Sequence, residues 1–301
     1  MFGKQLLDYR KKNQLTQKEM ILFLSCSKES FLERLDIVSY SRWESGKVIP
    51  PLRKQAIILK LIGKSSVIKE ISKGKEEKIK NIFSTYMLER YDSFKSLDLF
   101  YLEKEIIRHF SSKTLSAYPC NLLEIQKKVF QQKRPELFLR KIDNASKING
   151  YSTYCNIECY YCGHLSYAIV STDKFNIEFV RFTPRKVEGD ILYIFCGYAG
   201  TKTIFLHQLK MLIDVMYNYT NISRFYVRTY DDKFCSILRE HFDGKTVDFG
   251  ATCTKGVRFS GNRYRWVGLL CDATLLRLSY AGVKSLIEDH GMINNIQTKC
   301  C

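Results

Sequence analysis

No stretch of about 18 uncharged apolar residues occurs in the chain, so no segment has the length and character of a membrane-spanning helix. The first residues, MFGKQLLDYRKKNQ, lack the apolar core and small-residue cleavage site of a secretory signal. Together these absences predict a cytoplasmic protein with no membrane partner. Acidic residues are in short supply: 31 Asp+Glu stand against 48 Lys+Arg, a formal net charge of +17. Such a field favours a polyanionic partner, the alternative being an ordinary Lys-rich surface. The distribution favours the partner. Residues 1–75 hold 16 Lys/Arg and 7 Asp/Glu, so a quarter of the chain carries a surplus of 9, about half the excess. The 11 cysteines are odd in number and come without a secretory signal, which predicts free thiols rather than a disulfide framework. A length of 301 residues, 45% of them hydrophobic and 26% charged, suits roughly two globular domains.

The N-terminal segment reads as a series of short helices. Gly3 to Asn13 forms the first, with Leu6, Leu7 and Arg10 at near-helical spacing. Thr16 followed three residues later by Glu19 makes a capping box, which starts a second helix over about Gln17 to Leu24. Asp36 can cap a third over about Ile37 to Ser45, because a carboxylate accepts amide hydrogens at a positive helix end. Tyr40 and Trp43 would face its core side, while Ser39, Ser41 and Arg42 would face outward. Gly46 ends it. Pro51 opens a further helix whose buried stripe is Leu52, Ile57, Ile58 and Leu61.

The pattern Leu15-Thr16-Gln17, then Ser41-Arg42-Trp43-Glu44-x-Gly46, then Pro50, resembles the XRE, or lambda-repressor-like, helix-turn-helix family over about residues 3–64. The segment Ser25–Leu35 is longer than the family's short turn, and Phe31 and Leu35 could pack it down as an extra helical turn. The resemblance implies double-stranded DNA as partner, bound by a homodimer on two half-sites. It places the helix near Ile37 in the major groove, with Ile37, Val38, Ser39, Ser41, Arg42 and Lys47 facing DNA. Arg42 could read guanine bidentately, or could instead pair with an acid such as Glu44. Ile37 and Val38 could touch thymine methyls or belong to the core. Gln17 would approach a phosphate at a helix N-terminus.

Residues 64–78 (KSSVIKEISKGKEEK) read as a polar, Lys-rich linker. From Glu76 to about Phe110 the pattern is helical, with Ile79, Ile82, Phe83, Tyr86 and Met87 on one face. Further amphipathic runs cover Asn121 to Gln132 and Pro135 to Ile148. Nothing in this stretch has catalytic spacing.

After Gly150 the texture turns to β. Runs rich in aromatic and β-branched residues cover His164–Ser171, Asn176–Phe182, Ile191–Cys196 and Arg224–Tyr230, with further strands near Thr246–Cys253 and Arg263–Leu270. A turn at Gly197-Tyr198-Ala199-Gly200-Thr201-Lys202 precedes a helix over about Thr203 to Asn218, and another helix covers Asp232–Phe242. This order of strand, Gly-rich turn, helix, strand, helix, strand resembles the acetyl-CoA-dependent GNAT N-acetyltransferase fold over about residues 150–271. The resemblance makes acetyl-CoA a candidate ligand, with Gly197, Ala199, Gly200 and Thr201 offering amides to its pyrophosphate. The chain departs from the family pattern at three positions. Ile194 stands where Gln or Arg is usual, Asp232 where Asn is usual, and Arg239 where a tyrosine acid is usual. An arginine cannot protonate a leaving thiolate. Tyr230 or Glu240 could substitute, but the departures lead to the expectation of a fold kept for sensing, dimerisation or interaction rather than turnover.

Cys155, Cys159, Cys162 and His164 could supply three thiolates and an imidazole to a zinc ion. Their spacing is not that of two separated ligand pairs. Free thiols in a tyrosine-rich hairpin are the expectation, with a redox-sensing pair as another alternative.

The expected architecture is therefore multidomain: an all-α helix-turn-helix domain over 1–66, a helical connector over 67–149, and an α+β GNAT-like domain over 150–301 with a C-terminal helical extension. The expected function is a sequence-specific transcription regulator whose second domain has a small-molecule or acyl-CoA effector. The alternatives are an active N-acetyltransferase fused to a DNA-binding domain, and an antitoxin-like regulator that binds a partner protein.

Overall fold

The computed structural model describes residues 1–27, 29–92, 105–110, 120–128, 132–156, 161–180, 189–290 and 298–300. It divides into two compact units, Met1–Lys75 and Glu76–Cys301. The division lies beyond the expected boundary at 66, and most of the expected connector belongs to the second unit.

The first unit is all helical: α1 (Phe2–Lys12), α2 (Gln17–Ser25), α3 (Ser30–Glu33), α4 (Ile37–Glu44), α5 (Leu52–Leu61) and the first part of α6 (Ser65–Tyr91). The predicted caps form. Thr16 and Glu19 close a reciprocal capping box on α2, and the Asp36 carboxylate accepts the Ser39 amide at the start of α4. Gly46 takes a φ of 74° just past α4, where a side chain would be strained. The long Ser25–Leu35 segment contains α3, and Leu32 and Leu35 bury it against the helices. Phe2, Leu6, Met20, Leu24, Tyr40, Trp43, Ile58 and Leu59 are the main body of the core. Helix α1 crosses close to α4, since a Cβ on Gly3 would lie 2.5 Å from the Trp43 carbonyl oxygen.

Two readings of α5 change. Pro51 is its N-cap rather than its first helical residue. Its buried face is Gln55, Ala56, Ile58 and Leu59, whereas Leu61 is exposed and Leu52 and Ile57 are half-buried. The helix is rotated relative to the expected stripe so that the buried Gln55 amide can donate to the Pro50 carbonyl at 2.7 Å. The expected linker over 64–78 is helix α6. Its Lys and Glu residues are good helix formers, and Val67, Ile68 and Ile71 give it a face to bury.

The second unit is an eight-stranded mixed sheet with helices on both faces. Its strands are β1 (Glu105–Phe110), β2 (Ser146–Asn156), β3 (Tyr161–Ser171), β4 (Asp190–Ala199), β5 (Ile222–Thr229), β6 (Lys245–Phe249), β9 (Val267–Asp272) and β10 (Thr298–Cys300), in the order β10-β1-β2-β3-β4-β5-β9-β6. A separate hairpin pairs β7 (Thr252–Phe259) with β8 (Asn262–Tyr264). Pairing is antiparallel from β1 to β4 and again from β5 through β9 to β6, while β4 and β5 are parallel. Helix α10 (Lys202–Asn218) makes the crossover between β4 and β5 that a parallel pair requires.

One face of the sheet is covered by the second part of α6, α10, α11 (Asp232–Phe242), α12 (Ala273–Arg277) and α13 (Tyr280–Asp289). Phe83, Tyr86, Met87, Phe205, Leu238 and Leu286 meet there. The opposite face carries α8 (Pro135–Ala145) and α9 (Thr172–Glu178), with Leu139, Phe175 and Phe179 against Tyr193, Phe195 and Tyr226. Helix α7 (Cys120–Lys128) precedes α8.

Helices α12 and α13 follow β9, and four expectations change. The helix expected to reach Phe110 ends at Tyr91, and 105–110 is strand β1, whose partner β2 is too distant in sequence for a local pattern to show. The run Asn176–Phe182 was expected to be a strand, but 172–178 is α9. Phe175 and Phe179 lie four apart and are both buried, so helical spacing prevails over β-branched content. Residues 181–182 lie outside the described residues. The strand expected over Thr246–Cys253 breaks into β6 and β7 at Gly250, where a Cβ would meet the Trp266 ring nitrogen at 2.6 Å. The strand expected over Arg263–Leu270 is likewise two, β8 and β9.

Trp43 is 8% exposed and joins α4 to the core. Trp43→Ala is expected to cost about 3–5 kcal/mol and to unfold the first unit, as followed by the loss of dispersed methyl resonances from residues 1–75.

Candidate functional site

Parallel pairing of β4 with β5 runs from Asp190↔Ile222 to Ile194↔Val227 and stops, although β4 continues to Ala199 and β5 to Thr229. The strands therefore part beyond Ile194 and Val227. A bulge at Phe195 begins the departure, because Ser166 pairs with Cys196 and Tyr167 with Ile194, leaving Phe195 as an extra residue. The buried Gln208 of α10 fixes the parted end of β4. Its side-chain amide donates to the Tyr198 carbonyl at 2.7 Å and to the His164 carbonyl at 2.9 Å.

The opening gives a cleft on the α10/α11 face, lined by Gly197, Tyr198 and Ala199 from β4, by Val227 and Thr229 from β5 and by Tyr230 just after it. Thr201 caps α10 at the cleft, its hydroxyl accepting the Ile204 amide at 3.2 Å. Of the residues expected to hold a pyrophosphate, Gly197 and Ala199 line the cleft, while Gly200 and Thr201 form the step into α10. The expected turn is shorter than 197–202, since β4 extends to Ala199.

The C-terminal end of α6 stands across the mouth of this cleft. Tyr86 has its ring 5.4 Å from Phe205 of α10 and 5.5 Å from Phe234 of α11. Its hydroxyl donates to Asp231 at 3.0 Å, and Arg90 donates to the same carboxylate oxygen at 2.5 Å. The other Asp231 oxygen caps α11 by accepting the Phe234 amide. Tyr91 donates to the Ala199 carbonyl at 3.2 Å, and Asp92 pairs with Lys202 in the first turn of α10 at 2.9 Å. The space that these side chains line is about 90 Å³.

Tyr230 lines the cleft, with its ring 6.4 Å from that of Tyr198. Burial raises its hydroxyl well above the ordinary phenol value and so keeps it protonated. Glu240 is exposed on α11 and is not among the residues lining the cleft. Arg239, at the position where the resemblance calls for a tyrosine, is engaged elsewhere. It donates to the Arg258 carbonyl and the Thr246 hydroxyl and stacks over Phe259. Asp232 accepts the Arg258 amide at 3.0 Å.

A second cleft of about 980 Å³ lies on the opposite face of the sheet, between α8, the end of β5, β6 and Trp266 just before β9. Arg228 lines both clefts. Its side chain lies on the same face of β5 as Tyr226 and is 6% exposed. It donates to the hydroxyls of Tyr226 and Tyr193 at 3.1 and 3.2 Å and lies 4.7 Å over the Trp266 ring. No local sequence signal singles it out, because an arginine at the end of a strand ordinarily faces water.

Of the suggested zinc ligands, Cys159 lies outside the described residues, as do the side chains of Cys155 and Cys162. His164 is buried with its Nε2 2.7 Å from Cys196 Sγ, and burial pushes its imidazole down to about 3. Among the described residues no cluster of three metal-ligating side chains occurs.

In the first unit, α4 turns Tyr40 and Trp43 inward, and Ile37, Val38 and Arg42 outward. Ile37 and Val38 are 42% and 54% exposed, too open for the core alternative. Lys47 is exposed beyond the helix, and Ser39 and Ser41 are half-buried. The Glu44 carboxylate does not pair with Arg42. It accepts from Arg10 at 2.6 and 3.1 Å, from the Gln17 amide at 2.7 Å and from the Tyr40 hydroxyl at 3.1 Å. Gln17, expected near a phosphate, thus has its amide turned to Glu44, while Arg42 stays exposed with no ion pair among the described residues.

No family model matches the sequence, and no curated protein matches it. Solved structures that resemble part of the chain include the acetyl-CoA complex of NAA60 from Arabidopsis thaliana, at 11% identity and a TM-score of 0.35, over 56% of this chain and 98% of that one. FeeM, an N-acyl amino acid synthase from uncultured soil microbes, matches at 10% identity and a TM-score of 0.34, over 58% and 93%. The ribosomal-protein-S5-alanine acetyltransferase from Vibrio fischeri matches at 13% identity and 0.28, over 58% and 96%. Scores this low assign no activity to this chain.

Burial acts to raise the Glu44 carboxyl, but the hydrogen bonds from Arg10 and Gln17 outweigh it and leave the group below its ordinary value. A lowered carboxyl stabilises the folded state above its unfolded value, and that stability is lost as pH falls through the folded value. The first unit is therefore expected to lose stability as pH drops below the carboxylate range, and Glu44→Gln to flatten that acid limb in melting curves followed from pH 7 downward.

Proposed function

We propose that the chain joins a DNA-binding unit, Met1–Lys75, to an acyl-CoA-dependent N-acyltransferase unit, Glu76–Cys301. The transferase reading rests on one observation: the parallel β4–β5 pair opens beyond Ile194 and Val227 with the N-terminus of α10 beside the opening. The order of strands and helices is the one the GNAT resemblance implies. The opening separates the end of β4 from β5, which makes room beside β4 for a thioester chain, and α10 presents the positive end of a helix to a pyrophosphate.

The residues present fit such a ligand only when the end of α6 withdraws, because Tyr86 and Tyr91 stand where it would pass. Within the cleft, Tyr230 holds a proton at its hydroxyl, the form a general acid needs. Tyr230 is thus the acid in place of the residue that Arg239 cannot be. Acetyl-CoA supplies the activated acyl group when bound.

Calorimetry with acetyl-CoA and a turnover assay over a panel of amines test this reading. Binding is expected to tighten severalfold in Tyr91→Phe, which loses the bond to Ala199, and turnover to fall at least tenfold in Tyr230→Phe with binding kept. Absence of acetyl-CoA binding in both the wild type and Tyr91→Phe overturns it.

The DNA reading is supported by the outward face of α4, where Ile37, Val38 and Arg42 are exposed above a rigid Tyr40–Trp43 base. A homodimer on paired half-sites follows from the resemblance. Selection of bound duplexes from a random pool is expected to yield a defined site, and Arg42→Ala to weaken it by about 1–3 kcal/mol. No preference among duplexes at physiological salt overturns it.

A further inference from the structure

We infer that the second cleft binds the carboxylate of a small organic molecule with an apolar body, such as an amino acid. As a carboxylate site the inference stands alone; as the acceptor site of the transferase it rests on the reading above.

The floor of the cleft is Arg228, 6% exposed and held by two tyrosine hydroxyls and the Trp266 ring. Burying a guanidinium is costly, and the aromatic faces and phenolic oxygens around it offset part of that cost. Burial acts against the charge on Arg228, but Tyr193, Tyr226 and the Asp248 carboxylate around it outweigh that and leave the guanidinium above its ordinary value. Among the described residues the lining carries the exposed Lys133, Arg134 and Lys141 together with Arg228, and the carboxylate of Asp248. Phe138, Phe179 and Trp266 supply apolar walls. A planar guanidinium at the base of an apolar cavity is suited to a carboxylate, which it binds bidentately and which a neutral amide cannot replace.

Position adds a second argument. Arg228 lines both clefts, and Tyr230 follows it by two residues at the end of β5. A molecule anchored by its carboxylate at Arg228 would hold the rest of its body near the opening between β4 and β5. An amino acid has its amine on the carbon next to that carboxylate, so anchoring one group places the other.

The test uses the full chain and calorimetry with L-phenylalanine, L-phenylalaninamide and phenethylamine. L-Phenylalanine is expected to bind at least tenfold more tightly than either probe lacking the carboxylate. Lys141→Ala and Arg134→Ala, both at exposed positions, are expected to weaken it severalfold with unchanged melting temperature. Arg228→Lys is expected to weaken it further, the lysine keeping the charge but not the fork. Equal affinity for the three probes, or no binding of any of the twenty amino acids, overturns the inference. Binding of L-phenylalanine without acyl turnover overturns only the transferase reading. Turnover on plain amines with no carboxylate preference overturns only the present inference.

Discussion

The second unit depends on the parallel seam between β4 and β5. It joins two antiparallel arrays, β1 to β4 and β5 through β9 to β6, while β10 adds a parallel partner to β1 at the outer edge. A parallel pair needs a crossover, so α10 must lie on one face, and its N-terminus must start where β4 ends. The seam is only partly closed. The Phe195 bulge turns β4, and Gln208 ties the turned end to Tyr198 and His164, so β4 leans toward β3 rather than β5. The first cleft and the placement of Tyr230 in its lining follow from that partial closure.

Buried charge is handled differently in the two units. In the first, Glu44 draws together Arg10 from α1, Gln17 from α2 and Tyr40 from α4, so a single carboxylate satisfies donors from three helices. In the second, Arg228 is surrounded mostly by aromatic rings and phenols. The Glu44 cluster closes on itself, which suits a structural role. The Arg228 cluster opens onto a cavity, which suits a ligand.

Helix α6 is common to both units. Its Val67, Ile68 and Ile71 pack with the core of the first, and its Ile79, Phe83, Tyr86, Met87 and Tyr91 with that of the second. Gly74 lies between the two sets and is exposed, with no atom within 4 Å of a Cβ placed there. A glycine inside a helix weakens it by about 1 kcal/mol relative to alanine, so the weakest point of α6 falls beside the unit boundary.

The caps at Thr16 and Asp36, the inward Tyr40 and Trp43, the glycine after α4, and helices α10 and α11 were all legible in the sequence. Each depends on residues within a turn or two of one another, where spacing alone sets the geometry. The same is true of the strands and helices from β3 to α11, apart from α9. Strand β1 and the break at Gly250 were not legible, because each is decided by a partner distant in sequence, while the polar composition of 64–78 hid a helix whose formers and apolar face were present in the sequence. The candidate sites divide in the same way. Gly197, Ala199, Gly200, Thr201, Tyr230 and Glu240 were named through the resemblance; Gly197, Ala199 and Tyr230 line the first cleft and Glu240 does not. The obstruction by Tyr86 and Tyr91, the turning of Gln17 toward Glu44 and the burial of Arg228 between two clefts arise only when separate elements pack. A sequence carries no local trace of which face of a sheet a helix from elsewhere will cover, and burial rather than residue type decides what those side chains can do.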